Sequence, residues 1–98
     1  MKYETELLLE AEEEINKLDD YYQEIIEEAY KTVRDKGIEY LEINSLGNKI
    51  YEIKAGKTRS VYKYKKGQII VIAVVFLKKS QETPKRILKL AQKRLKDI

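Results

Sequence analysis

The sequence predicts a single α+β domain: a helical hairpin, then a small antiparallel sheet of about four strands, then a basic helix. Three observations predict it. Residues 10–36 repeat apolar positions at the helical period, and residues 50–77 switch to a period of two. Pro84 then opens a second helical repeat. A chain of 98 residues has room for one core, so one domain is expected over 1–98.

The elements follow in order. At the start, Tyr3, Thr5, Leu7 and Leu9 alternate with Glu4, Glu6 and Leu8. That alternation fits a strand, but the same residues are also good helix formers. From Glu10 the pattern is helical, with Ala11, Ile15 and Leu18 on one face. Asp19 or Asp20 then serves as the N-cap of a second helix. Tyr22, Ile25, Ile26, Ala29, Tyr30 and Val33 form its inner face, and Gly37 stops it. The glutamates on the outer faces read as a solvated surface and not as paired catalytic acids.

Ile50–Lys54 is a short strand, and Ala55-Gly56-Lys57 a turn. In the strand Thr58–Tyr64, Arg59, Val61 and Lys63 share one face, while Thr58, Ser60, Tyr62 and Tyr64 share the other. Lys65-Lys66-Gly67-Gln68 makes a hairpin turn, with glycine available for positive φ. Ile69–Leu77 is apolar at every position, as expected of a central strand covered on both faces. In the last segment Thr83 caps, Pro84 occupies the first turn, and Ile87, Leu88, Ala91, Leu95 and Ile98 form a buried stripe. Arg86, Lys89, Lys93 and Lys96 make its other side basic.

The charge is unevenly spread. Residues 1–49 carry 14 acidic and 6 basic side chains, whereas residues 50–98 carry 14 basic and 3 acidic, so the halves stand at −8 and +11. Two readings compete: a basic working surface for a polyanion on an acidic scaffold, or two halves that each solvate their own face. The longest uncharged run of the second half, Gly67–Leu77, is too short to cross a bilayer, which takes about 20 apolar residues. The acidic start is unlike a secretory signal. The chain has no cysteine, which fits the cytoplasm and removes thiolate chemistry. It has no histidine, which removes the commonest general base and metal ligand. No acidic cluster in the basic half has metal-ligand spacing, so neither metal nor cofactor is expected.

Antiparallel pairing brings the end of one strand beside the start of the next. Lys54, Lys57 and Arg59 flank one turn, and Lys78 and Lys79 return to the same edge at the end of the long strand. Cations converge there at an energetic cost unless an anion joins them. A phosphodiester suits such a site. Arginine grips two phosphate oxygens, and a lysine among other cations gives up its proton more readily. RNA brings its own nucleophile, the 2′-OH, so positioning and charge stabilisation suffice. Lysines also end strands for purely structural reasons, which leaves a passive nucleic-acid binder as the alternative. Tyr22 and Tyr30 read as core residues. Tyr51, Tyr62 and Tyr64 fit either base stacking or packing. "KAGKTRS" is not a phosphate loop, because its glycine spacing is wrong and a strand follows.

The stretches "IYEIKAGKTRSVYKY" and "QIIVIAVVFLKKSQETPKRILKLAQKRL" resemble the RelE/HigB toxins of type II toxin–antitoxin modules, and most of all their phage-derived, HigB-like branch. Phe76-Leu77-Lys78-Lys79-Ser80-Gln81-Glu82-Thr83-Pro84 is the most specific part. "YETELLLEAEEEINKL" is similar to that family's opening strand and first helix. The resemblance implies a RelE-like fold with a first strand at Lys2–Leu8 and the sheet packed on the two N-terminal helices. It implies a ribosome-dependent mRNA endonuclease that needs no metal, inhibits translation and is neutralised by a cognate antitoxin. By position, Arg59 would stabilise the transition-state phosphate, Lys79 hold the scissile region, and Lys54 act as base. Lys78 would contact the RNA backbone or ribosomal RNA, with Lys57, Lys63, Lys85, Arg86 and Lys89 as further RNA contacts. Gln81–Lys89 lacks the tyrosine or histidine that serves as acid or base in some members, and Glu52 stands where some have lysine. Another branch of the fold poisons DNA gyrase, so a gyrase toxin and a non-catalytic binder of RNA or of an acidic partner are the other outcomes.

Overall fold

A computed structural model describes residues 1–98. Its elements are β1 (Glu4–Leu7), α1 (Leu9–Asn16), α2 (Asp20–Asp35), a 3₁₀ turn (Ile38–Tyr40), β2 (Glu42–Gly47), β3 (Ile50–Ala55), β4 (Thr58–Lys65), β5 (Ile69–Leu77) and α3 (Lys85–Leu95). The class is α+β, as the periodicity predicts. No helix is long and apolar enough to cross a membrane.

The strands lie in the order β1-β5-β4-β3-β2. β2 to β5 form an antiparallel meander, and β1 pairs with β5 in parallel, Glu4 opposite Ile69 through Leu7 opposite Ile72. The sheet therefore has five strands, one more than expected, and one parallel pair. The strand that periodicity missed is β2. Its sequence, EINSLG, mixes turn residues with two half-buried apolar ones, Ile43 and Leu46. It is an edge strand with an irregularity between Ser45 and Gly47, so one face only is partly covered.

Helices cover both faces of the sheet. On one side Ala11 and Ile15 of α1 and Ile26, Ala29, Tyr30 and Val33 of α2 pack with Ile53, Tyr62, Ile70, Ile72 and Val75. On the other, Ile87, Ala91 and Leu95 of α3 pack with Ile50, Val61, Val71, Ala73 and Val74. β5 is the shared layer, which is why it is apolar at every position. The helical faces match the sequence pattern in most positions, but Tyr22 and Ile25, expected on the inner face of α2, are only half-buried and do not join the core cluster. Ile98 lies beyond the end of α3 and is 45% exposed, so the buried stripe ends at Leu95. Gly37 ends the α2 segment with φ 132°, a value that a residue with a Cβ rarely adopts.

Alternation fails at one point in β5. Val61 faces Val74 while Tyr62 faces Ile72, so Ala73 is an extra residue. Ala73 and Val74 consequently both join the α3 side. β1 ends opposite Ile72, and beyond it side chains take over the edge. Glu14 of α1 accepts from the Val75 N–H (3.0 Å), and Arg94 of α3 donates to the Ala73 carbonyl (2.9 Å). Arg94 also binds both oxygens of Glu14, at 3.0 and 3.1 Å. One ion pair thus ties two helices to the bulged edge of the central strand.

Arg94→Ala leaves the Glu14 carboxylate and the Ala73 carbonyl without that donor. A loss of about 2 kcal/mol is expected in urea unfolding, the usual cost of a stranded polar group. Tyr30 and Tyr62 are buried, and burial raises both phenol pKa values, outweighing at Tyr30 the opposing effect of its bond to Ser60. Both phenols stay protonated in the fold at pH values where the unfolded chain ionises them. Their contribution to stability is complete below about pH 10 and declines above it by about 1.4 kcal/mol per pH unit for each group. Unfolding measured from pH 9 to 11.5 should show this slope, and Tyr62→Phe should remove one group's share.

Candidate functional site

The sheet end that carries the β3–β4 turn gathers the charge. Lys54 of β3 lies directly opposite Arg59 of β4, and Arg59 lies opposite Phe76 of β5. By alternation with Val61 and Val74, this row is on the α3 side of the sheet. The Lys78 N–H donates to the Lys57 carbonyl at 2.7 Å, one step past the β4–β5 ladder. That bond draws the β3–β4 turn and the exit of β5 together. Lys54, Lys57, Arg59 and Lys78 are therefore brought to one end, as antiparallel geometry predicts.

Arg59 is only 7% exposed. Its Nη1 donates to the carbonyls of Gly56 and Thr58, both at 2.8 Å. No carboxylate pairs with it; the ion pairs of the chain lie elsewhere. The turn's own carbonyls fix the guanidinium and leave its positive charge uncancelled. Lys54 is 3.6 Å from Glu42, which is largely exposed, so that contact neutralises it weakly.

After β5 the chain crosses to α3, and a pocket of about 210 Å³ opens beneath this linker. Phe76, Leu77, Pro84 and Ile87 supply its apolar lining, Lys78, Lys79 and Arg86 its cations, and Glu82 its acid. The Ser80 hydroxyl donates to the Glu82 carbonyl at 2.9 Å. The apolar lining was the part that sequence reasoning missed. The available signal was period two: Phe76 follows Val74 on the α3 side, two residues before Lys78.

Thr83 differs from expectation. The sequence predicts Thr83 as the cap of α3 and Pro84 in its first turn; Pro84 instead occupies the N-cap position and no side chain caps there. The Thr83 hydroxyl instead donates to the Glu52 carboxylate, 2.8 and 2.5 Å from its two oxygens. Glu52 is 1% exposed and sits on the same face as Lys54, two residues earlier on β3. A buried carboxylate needs a donor, and Thr83 is the one within reach. The bond pins the linker across the sheet.

The remaining expected contacts are placed as follows. Lys63 is four residues along β4 from Arg59, roughly 13 Å away at strand rise. Its ammonium donates to the Ile98 carbonyl at 2.5 Å, so it is apart from the pocket. Lys85 and Lys89 are exposed on α3, and neither they nor Lys54, Lys57 and Arg59 line the pocket. Of the undecided tyrosines, Tyr62 is fully buried and Tyr64 is 40% exposed. Both lie on the α1–α2 side, across the sheet from Arg59.

A mixed sheet with two N-terminal helices on one face and a basic C-terminal helix on the other is a RelE-like fold. It superposes on a chain of the toxin–antitoxin complex RelBE2 from Mycobacterium tuberculosis with a TM-score of 0.66 and 18% identity. That match covers 80% of this chain and 100% of that one. It superposes on a chain of the archaeal RelE–RelB complex from Pyrococcus horikoshii OT3 with a TM-score of 0.65 and 15% identity, covering 79% and 96%. No curated protein sequence matches the chain. Within this class the sequence belongs to a defined family: residues 13–96 match the family of the phage derived protein Gp49-like (DUF891).

Thr83→Val removes the donor to Glu52 and keeps the shape of the side chain. A loss of about 1–3 kcal/mol is expected, because a buried carboxylate is left unpaired. Amide hydrogen exchange should accelerate in residues 78–84 more than in β4, since the bond acts on the linker.

Proposed function

We propose that the chain is the toxin of a type II toxin–antitoxin pair and that it cleaves mRNA on the ribosome. The observation that carries this reading is the row Lys54–Arg59–Phe76 next to the Lys78–Lys79 linker, in a RelE-like fold. An arginine held by backbone carbonyls and left without an acid partner offers fixed positive charge to an incoming anion. Preorganised charge of this kind stabilises a transition state without reorganisation at the moment of reaction.

The chemistry follows from the placement. The RNA backbone lies against the pocket, with one base over Phe76 and its phosphate between Arg59 and the linker lysines. Lys54 takes the proton of the 2′-OH as general base. The 2′-oxygen attacks the adjacent phosphorus, and the bond from phosphorus to the 5′-oxygen breaks. A 2′,3′-cyclic phosphate remains on one fragment. Solvent protonates the leaving 5′-oxygen, since Gln81–Lys89 contains neither tyrosine nor histidine. Arg59 and Lys79 stabilise the pentacoordinate phosphate, and Lys78, Lys57 and Arg86 hold the chain on either side. Lys85 and Lys89 extend the positive field along α3, and the ribosome supplies the extended mRNA.

An antitoxin completes the reading. Its acidic, partly disordered segment would cover the cations, and its apolar side chains would enter the lining formed by Phe76, Leu77, Pro84 and Ile87. The neighbouring solved structures, a toxin–antitoxin complex and a RelE–RelB complex, support this assignment.

Inducible expression tests the proposal. Wild type should arrest growth, with mRNA cut within codons by primer extension, and a protein encoded by an adjoining gene should relieve the arrest. Arg59→Ala should lower cleavage by roughly 100-fold or more, the scale of losing one preorganised charge at a transition state. Arrest with intact mRNA and damaged DNA would identify a gyrase toxin instead. Ribosome binding without cleavage would identify a passive binder.

A further inference from the structure

Tyrosines gather at the sheet end remote from the pocket. Tyr64 lies five residues along β4 from Arg59, roughly 16 Å at strand rise. Its ring centroid is 5.0 Å from that of Tyr3 and 5.3 Å from that of Tyr51, and Tyr51 stacks on Tyr62 at 5.8 Å. Tyr62, fully buried, is the base of the group, and Tyr64, 40% exposed, is its outer step.

The backbone explains why these rings are reachable. β3 begins pairing with β4 at Tyr51 opposite Tyr62, yet β4 continues to Lys65 with β5 alone beside it. The stagger leaves a notch of about 400 Å³ lined by Asn48, Lys49, Tyr51, Lys63 and Tyr64. On the other side of the Tyr3–Tyr64 pair, a second depression of about 440 Å³ is lined by Lys2, Tyr3, Glu4, Gly67 and Gln68. Lys65 pairs with Glu6 and Lys63 binds the Ile98 carbonyl, whereas Lys2 and Lys49 are exposed and form no ion pair.

Aromatic rings clustered around Tyr64 in tilted and edge contacts, a free cation on each side and amide groups at the rim are the components of a single-strand platform. Bases stack on the rings, phosphates meet the lysines, and Asn48 and Gln68 offer hydrogen bonds to base edges. We propose that Tyr3, Tyr51 and Tyr64, flanked by Lys2 and Lys49, bind unpaired RNA bases as a second RNA contact, separate from the cation pocket. Duplex RNA, whose base faces are hidden, is not a ligand of this platform.

The test is fluorescence anisotropy of the purified protein with a labelled single-stranded RNA of mixed sequence, at two salt concentrations. Tyr64→Ala should weaken binding about tenfold, within the range found for loss of one base–aromatic stack. Tyr64→Phe should bind as wild type does. Lys49→Gln, on an exposed turn, should weaken binding and flatten its salt dependence, and thermal melts of each variant should confirm folding. Binding of a duplex of equal length should not respond to Tyr64→Ala. Ultraviolet crosslinks from this end of β4 on ribosomes would show whether mRNA or ribosomal RNA supplies the bases. Wild-type binding by both Tyr64→Ala and Lys49→Gln, or no binding by wild type, would overturn the proposal. The readout is binding and not cleavage, so it stands or falls apart from the endonuclease reading.

Discussion

Everything else in this structure depends on burying β5 on both faces. The strand runs Ile69–Leu77 without a charged residue, and it can be kept from water only by helices above and below. α1 and α2 supply one cover and α3 the other. A strand with two covers must keep two faces in register, and the bulge at Ala73 changes which residues face which cover. The Glu14–Arg94 pair sits at that bulge and satisfies the backbone groups that β1 leaves open. Attachment of the basic helix and closure of the sheet edge are one set of hydrogen bonds.

The charge at the site follows from the same requirement. An apolar strand ends where its cover ends, and the chain then needs polar residues at once. Lys78 and Lys79 stand there, beside the β3–β4 turn whose carbonyls hold Arg59. Glu52 is the one acid buried near the row, and the linker's Thr83 occupies it. Its carboxylate is spent on anchoring the linker and forms no ion pair with Arg59 or Lys54. The Thr83 hydroxyl anchors Glu52 without cancelling its charge, and Glu82 lines the pocket, so the positive character there rests on Lys78, Lys79 and Arg86 outnumbering that acid. The two ends of β4 also differ in kind: one presents cations around an apolar pocket, the other tyrosine rings with lysines at the margins.

Much of this was legible beforehand. The helical faces of α1 and α2, the paired faces of β4 and the doubly buried β5 all follow from apolar spacing, because burial of a side chain is a local consequence of its position in a repeat. The meeting of Lys54, Arg59 and Lys78 followed from strand order alone. β2 was not legible, because an edge strand needs no strong pattern. The parallel pairing of β1 was not legible either, since alternation identifies a strand but not its partner. Lys63 shares a face with Arg59 in the alternation, yet four residues of extended chain carry it out of the site. Nothing in the local sequence of Thr83 showed that its hydroxyl would leave the helix end for Glu52, because the two are 31 positions apart.

The sequence by itself determined the class of fold, the element that would be buried most deeply, and the concentration of cations at one end of the sheet. Each rests on periodicity or on charge per segment, and both are properties of neighbours along the chain. Only the tertiary structure decided which groups those cations would meet. It turned Arg59 inward onto the carbonyls of its own turn, paired Glu52 with Thr83, and set Phe76, Pro84 and Ile87 side by side as an apolar lining. Glu52 and Thr83 are 31 positions apart, and the nearer contacts also depend on how the turn and the linker settle, so each was chosen by which polar groups lose water together when the helices close on the sheet.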